Sequence, residues 1–272
     1  MANNRISRWG QVKVYLGKCF RLFGTEKQWK NFISTFIIVV LIAIVTGDDM
    51  FDAYNATRKG AFALVCACIW IGIFNSIQSI CRERAIIKRE HRSGVHISSY
   101  IFAHVIYEFF VCSVEAFIVL LVTVVRYINQ IPDVHVITIF PIDLFFAFLL
   151  IIFSSDALAL LVSSGVKSEQ MAMTIMPFVL IIQLLMAGLV FELEGFTEKL
   201  STLTISRWGL NAICVISGAE DLKYNPMVEE IADGIESTAG NLFSLFGRLI
   251  LFTIIYIVIA IILLNRVDSD QR

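Results

Sequence analysis

The sequence predicts an all-α integral membrane protein. It should have six transmembrane helices, an N-terminal amphipathic helix on the cytoplasmic side and short re-entrant helices on the external side. Of its 272 residues, 57% are hydrophobic and 17% charged, and the mean hydropathy is +0.77. Soluble domains have roughly 45–50% apolar and about 25% charged residues. Six stretches stay apolar over about 20 residues, the length that crosses a bilayer. Lysine and arginine are concentrated in alternate loops, as the positive-inside rule requires.

The composition also excludes other classes. The apolar content is too high for a disordered or collagen-like chain. The formal net charge of −1 gives no basic field that would attract a nucleic acid. The location of the charges is therefore more informative than their sum.

The six predicted spans lie near residues 28–47, 61–80, 101–125, 141–163, 172–192 and 245–264. Charged residues or Gly, Pro and Asn flank each of them. The first is the weakest, because its apolar core from Phe32 to Val45 is short. We therefore expect Trp29 and Lys30 to lie in the membrane interface on the same helix.

The basic residues orient these spans. They dominate the first 30 residues, and the loop between spans two and three carries Arg82, Arg84, Lys88, Arg89 and Arg92. The opposite side is acidic, with nine carboxylates from Glu192 to Glu236. Both termini and the loop 81–97 are therefore predicted to be cytoplasmic.

Two segments outside the spans have helical patterns. Residues 1–27 lack the apolar core of a signal peptide and interleave apolar with basic residues, which is typical of a helix in the membrane interface. An anchor on anionic lipid and a docking element are both open roles for it. Residues 193–247 are too long for an unstructured connector. Their apolar residues predict one or two short helices, ended by Gly218 and by Asn225-Pro226.

The residues predict neither catalysis nor a metal site. Serine proteolysis would need a histidine near Ser163 and Ser164, and no span after residue 141 contains one. His104 and Glu108 share a helix face, but two ligands are too few for a zinc site. No phosphate-binding G-x-x-x-x-G-K-[S/T] motif occurs, so any ATP is expected on another chain.

Three carboxylates, Glu108, Glu115 and Asp156, fall within predicted spans. Intramembrane carboxylates are costly and usually face the bundle interior or a water-filled path. Hydrogen bonding between helices is the favoured interpretation. Substrate contact or a proton-linked role is the alternative.

The segment CRERAIIKREHRSGVHISSYIFAH, residues 81–104, resembles the first cytoplasmic loop of type-2 ABC permeases, as found in G-subfamily exporters and their bacterial relatives. That loop is similar to E-R-x-x-x-x-R-E-x-x-x-G, followed by a tyrosine and an acidic residue. The matching residues here are Glu83, Arg84, Arg89, Glu90, Gly94, Tyr100 and Glu108. MAMTIMPFVLIIQLLMAGLVFEL resembles the family's fifth span, and SRWGLNAI resembles its external Ser-Arg-Trp stretch. The family often has Leu-Pro after the acidic residue, where this chain has Phe109-Phe110.

The resemblance implies a connecting helix over residues 1–27 and a six-span permease domain over residues 28–272. Within that domain, the loop 81–97 would form a coupling helix resting on an ABC ATPase, and residues 193–247 an external helical segment. ATP and Mg²⁺ would bind that ATPase, expected as a separate subunit, and this chain would hold no cofactor or metal. The implied coupling residues are Glu83, Arg84, Lys88, Arg89, Glu90 and Gly94. The alternative is a solvated loop, although two glutamates among its arginines argue against a purely positive-inside role.

By the same resemblance, two copies would surround a cavity lined by spans two and five. Phe74, Asn75, Gln183 and Met186 are the candidate lining residues, and Leu189 and Val190 the candidate apolar gate. Phe and Met make adaptable contacts, which favours an amphipathic substrate such as a lipid, peptide or drug-like molecule over a sugar. Ordinary packing or lipid contact is the alternative for each of these residues.

The predicted function is the permease subunit of an ABC exporter in a bacterial cytoplasmic membrane. It would work by alternating access as a homodimer, or as a heterodimer with a similar permease, surrounded by membrane lipid. An ion-coupled carrier that uses the membrane carboxylates is one open alternative. A non-transporting membrane scaffold is the other.

Overall fold

A computed structural model of the protein describes residues 7–25, 28–132, 135–191, 193–223 and 234–265. Within these ranges the chain is helical and has no β-strand, apart from one isolated bridge between Ala53 and Lys223. This confirms the all-α class. The helices are α1 (Arg8–Thr25), α2 (Lys30–Val45), α3 (Tyr54–Ser76), α4 (Ser79–Arg92), α5 (Ile97–Arg126), α6 (Phe140–Gly165), α7 (Glu169–Leu185), α8 (Phe196–Ser201), α9 (Ile205–Ile216) and α10 (Ala239–Leu264).

Four stretches of the described chain are long and apolar enough to cross a membrane: Tyr54–Arg92 (α3 with α4), α5, α6 and α10. A fifth appears if α1 and α2, bent by 70° relative to each other, count as one span. The helices predicted as spans one and five, α2 and α7, have only 16 and 17 residues. At 1.5 Å per residue each covers roughly 25 Å, less than the ~30 Å of a bilayer core. The six-span topology therefore stays a prediction.

One predicted boundary is wrong. Span five was expected to reach residue 192, but α7 ends at Leu185 and Gly188 takes φ +78°, a left-handed conformation that ends helices. The apolar run continues past this glycine, and hydropathy alone does not detect the break. Helix α10 begins at Ala239, within the predicted external segment 193–247, and the Thr238 hydroxyl there accepts a hydrogen bond from the Asn241 N–H at 3.3 Å. The bounds of that segment stay a prediction.

Helix α6 lies at the centre of the bundle and packs against α3, α5 and α10. Its closest approach is to α3. A Cβ atom added to Gly72 would lie 2.2 Å from the Ile152 carbonyl oxygen. On the other side of α6, the Ser154 hydroxyl donates to the Leu249 carbonyl of α10 at 3.0 Å. Small residues thus let the three helices approach closely, as is common in membrane bundles.

The segment between α7 and α10 contains the two short helices α8 and α9, as the apolar pattern predicts. Helix α9 is almost wholly buried and packs against α3, α6 and α10. The Arg248 guanidinium lies 3.9 Å from the centre of the Trp208 ring, which fixes α9 to α10. Gly218, with φ +62°, follows the end of α9, whereas Asn225 and Pro226 lie outside the described residues.

Replacing Gly72 by alanine should destabilise the bundle, because the new methyl group overlaps a backbone oxygen of α6 that cannot move alone. Overpacking of this kind typically costs about 1–3 kcal/mol. Thermal unfolding of the purified protein in detergent measures the effect. The matched control is Gly247→Ala on α10, where the added Cβ meets nothing within 4 Å. Equal stability of the two variants would contradict this packing.

Candidate coupling surface and transport site

Glu83 binds α4 to two other helices. Its carboxylate lies 2.8 Å from the Lys18 ammonium of α1, and it accepts a hydrogen bond from the Tyr100 hydroxyl of α5 at 3.0 Å. The pair with Lys18 is partly shielded from solvent, so it is screened less than a fully exposed ion pair. Glu83 therefore has its partners within the chain.

Glu90, two turns further along α4, makes a parallel contact. It accepts a hydrogen bond from the Tyr15 hydroxyl of α1 at 2.6 Å. The Tyr15 ring packs edge-on against Tyr100, with ring centres 5.4 Å apart. Glu83 and Glu90 lie seven residues apart and thus on one side of the helix, and together they fix α1 along α4.

Helix α6 holds α4 at its beginning. The Ser163 hydroxyl accepts hydrogen bonds from the backbone N–H groups of Ile80 and Cys81, both at 3.1 Å. In return, Arg84 donates to the carbonyl oxygens of Ser164 and Val166, at 2.8 and 3.1 Å. Free backbone groups at the start of α4 and the end of α6 are thus each bonded by a side chain from the other helix.

The opposite side of α4 faces outward. Arg82, Ile86 and Arg89 are exposed and follow helical spacing, and we call them the outer face of α4. Of the six predicted coupling residues, only Arg89 belongs to this face. Gly94 is exposed just after the helix, with φ +103°, and Lys88 is half-buried.

The sequence analysis did not single out Arg82 or Ile86 as coupling residues. The 3.6-residue period of α4 would have identified both, because Glu83, Ile87 and Glu90 mark its inner side.

The last turn of α3 provides partners for the intramembrane carboxyl groups. The Asn75 amide donates to Glu115 at 2.6 Å, and the Thr35 hydroxyl of α2 donates to its other oxygen at 3.3 Å. The Ser76 hydroxyl donates to Asp156 and also lies within hydrogen-bonding reach of Glu108. The favoured interpretation of these carboxyls as bonds between helices thus has a geometric basis.

This polar cluster is not fully satisfied. One carboxyl oxygen of Asp156, Oδ2, is buried and has no hydrogen-bond partner in the described part of the chain. Within that part, Glu108, Glu115 and Asp156 form no ion pair. Among the described residues, no group of three or more His, Cys, Asp or Glu side chains is arranged so that it could hold a metal ion.

A cavity of about 410 Å³ adjoins the cluster, between α1, α2, α5 and the junction of α3 with α4. Phe74 and Asn75, two predicted lining residues, are part of its wall, and so is Glu108. The Phe74 ring stacks on Trp70, with centres 5.6 Å apart. Met186 does not contribute to this wall.

Gln183 bonds to a neighbouring helix. Its side-chain oxygen accepts hydrogen bonds from the backbone N–H groups of Ile205 and Ser206, at 3.0 and 3.2 Å. These are free donors in the first turn of α9, so Gln183 caps that helix from α7. Gln183 also lines a small cavity between α3 and α7, beside Trp70 and Leu180. Its place in the wall of a cavity between two copies stays a prediction.

The predicted gate lies beyond the end of α7. Leu189 is half-buried and packs against the main core, whereas Val190 is exposed. Arg58 donates to the Gly188 carbonyl at 3.3 Å, which ties this turn to α3. The two candidate gate residues therefore stand on a turn and not on a helical span.

The four or five stretches that are long and apolar enough to cross a membrane are typical of a helical membrane protein. The chain belongs to the ABC-2 type transporter family, which matches residues 11–216. This domain is the permease component of an ABC transporter and lacks the ATPase site. The assignment also establishes the chain as an integral membrane protein.

One relative is an ABC transporter ATP-binding/permease protein of Mycobacterium tuberculosis. It is 24% identical over 213 residues, which cover 74% of this chain and 25% of that protein. The chain thus spans about a quarter of the relative's length. The relative's name combines an ATP-binding and a permease function in one protein.

Replacing Gln183 by methionine should lower the stability of the protein, because two buried N–H groups of α9 lose their acceptor. Such a loss costs about 1–3 kcal/mol. Gln170→Met, at an exposed position of the same helix, is the control and should have no effect. The measurement is thermal unfolding in detergent. Unchanged stability, together with an altered KM for transport, would indicate that Gln183 contacts the substrate and does not stabilise α9.

Proposed function

We propose that this chain is the permease subunit of an ATP-driven ABC exporter that moves an amphipathic substrate by alternating access. ATP and Mg²⁺ would be bound by a separate ABC ATPase subunit. Two permease copies, identical or similar, would form the transport path. Both termini and α4 would lie on the cytoplasmic side of a bacterial membrane, in agreement with the basic residues of α1 and α4.

The observation that carries this proposal is the two-sided character of α4. Its inner side is bonded to α1 and α5 through Glu83, to α1 through Glu90, and to α6 through Arg84. Its outer face exposes two arginines and an isoleucine. A partner that moves α4 therefore moves three other helices with it.

The chemistry of the outer face of α4 fits an ATPase surface with carboxylates. An arginine guanidinium can bind a carboxylate through two parallel hydrogen bonds, which fixes orientation as well as position. Ile86, 40% exposed between Arg82 and Arg89, offers an apolar contact at the centre. Closure of two ATPases on ATP would then push α4 and tilt the bundle.

In this proposal, the substrate path runs between the two permease copies. Trp70 and Phe74 of α3 and the exposed apolar side of α7, including Phe178 and Ile182, would face that path or the second copy. Met186, Leu189 and Val190 would stand near its external end. Flexible and aromatic side chains of this kind suit an amphipathic substrate better than a polysaccharide.

An ion-coupled carrier is the second candidate function. The observation that favours it is the buried pair of Glu108 and Asp156, which share Ser76; one Asp156 oxygen has no hydrogen-bond partner among the described residues. Such carboxyl groups can serve as proton relays. Transport driven by a pH gradient without ATP would support this candidate and exclude the exporter.

The coupling role predicts that Glu83→Ala and Arg89→Ala each lower ATP-driven transport, by several-fold to about tenfold for the loss of a charge-assisted hydrogen bond. Glu83→Ala removes the contacts of α4 with Lys18 and Tyr100. Arg89→Ala would remove a contact with the ATPase. The measurement is ATP-dependent uptake of a fluorescent amphiphilic dye into inverted membrane vesicles.

The matched control is Arg21→Ala, which removes an exposed arginine of α1. It should transport like the wild type, and all three variants should assemble as dimers. Wild-type transport by both α4 variants would refute the coupling role, whereas loss of the dimer would indicate a folding defect.

A further inference from the structure

The cavity between α1, α2, α5 and the α3–α4 junction lies within one copy of the chain, unlike the proposed path between two copies. Its volume of about 410 Å³ accommodates a small polar group rather than a whole lipid. It adjoins a narrower groove of about 150 Å³, since Asn31, Phe74 and Asn75 line both. The wide part and the groove together form one cleft.

The wide part contains two buried side chains that can accept hydrogen bonds. His104 is 9% exposed, and its ring nitrogen Nδ1 has no hydrogen-bond partner among the described residues. Glu108 lines the same wall and is 4% exposed; the Ser76 hydroxyl lies within its reach, but Glu108 forms no ion pair within the described chain. A buried acceptor without a donor is costly, and a buried carboxylate is stabilised by a cation, so a ligand that donates hydrogen bonds and carries a positive charge would stabilise both side chains.

The rest of the lining changes character with depth. Lys30 and Arg82 are exposed parts of the wide cavity wall. The groove runs along α2 and α3, where Ile38, Trp70 and Phe74 form an apolar part of the wall beside polar side chains, Glu115 among them. The cleft therefore joins buried acceptors, cationic side chains at its exposed edge and a groove whose wall is partly apolar.

We propose that this cleft binds a membrane lipid whose head group carries a primary ammonium beside a phosphate. The ammonium donates to Glu108 and to Nδ1 of His104, and the phosphate lies near Lys30. One acyl chain follows the groove past Phe74 and Trp70. The inference concerns binding by a single copy and does not depend on ATP-driven export.

The number of N–H donors separates this lipid from its relatives. A phosphoethanolamine head group has three N–H donors on its nitrogen, whereas a phosphocholine head group has the same charge and no donor. A phosphoglycerol head group has the phosphate and no positive charge. Lipids with these three head groups and identical acyl chains therefore test each part of the proposed chemistry.

The experiment is native mass spectrometry of the full chain, purified with any subunits that accompany it and titrated with each of the three lipids. Phosphatidylethanolamine should bind about tenfold more tightly than phosphatidylcholine, the difference that charge-assisted hydrogen bonds supply. Glu108→Gln should reduce this preference to near one. Glu194→Gln, an exposed carboxylate outside the cleft, is the control and should retain it.

Two further variants keep the test decisive if Glu108→Gln does not fold. His104→Phe retains a ring without the acceptor, and Lys30→Gln changes only an exposed side chain. Each should weaken phosphatidylethanolamine binding several-fold.

Equal binding of the ethanolamine and choline lipids, or tighter binding of phosphatidylglycerol, would overturn the proposal. Displacement of the lipid by equimolar soluble phosphoethanolamine would overturn the lipid assignment in favour of a water-soluble ligand. Lipid binding without ATP-driven transport would count against the exporter alone.

Discussion

Carboxyl groups inside an apolar bundle must find their hydrogen-bond partners within the protein, because the membrane interior offers no water. Here the last turn of α3 fulfils this requirement. Asn75 donates to Glu115 of α5, and Ser76 donates to Asp156 of α6. The Ser76 hydroxyl also lies within reach of Glu108 of α5. The positions of α3, α5 and α6 near α4 therefore depend on one short stretch of polar side chains.

The same stretch connects the membrane interior to α4. Helix α4 begins at Ser79, three residues after Ser76, and its first N–H groups are capped by Ser163 of α6. Only about one helical turn separates α4 from Asn75 and Ser76, so a movement of α4 would disturb the hydrogen bonds of these two side chains. The proposed cleft lies at this junction, so a bound lipid head group and the outer face of α4 would be mechanically linked.

The sequence was sufficient for the class of protein, because apolar runs and loop charges can be identified along the chain without knowledge of its tertiary contacts. Partners were harder to predict. Glu83 was predicted to contact an ATPase, and the sequence does not show that it pairs with Lys18 within the chain. Gln183 was predicted to line a cavity, and the sequence does not reveal that α9 places two free N–H groups beside it. The end of α7 depends on the φ angle of Gly188, which hydropathy does not report. The cleft at the α3–α4 junction depends on the bend between α1 and α2, which no local pattern specifies.

The central claim is that this chain works with an ABC ATPase, and purification from its native membrane in mild detergent tests it most directly. The account predicts that a protein with a Walker A motif copurifies in equal amounts with the tagged chain. The complex should hydrolyse ATP in a reaction that vanadate inhibits. A chain that purifies without such a partner and shows no ATP hydrolysis would contradict the account and favour a carrier driven by ions.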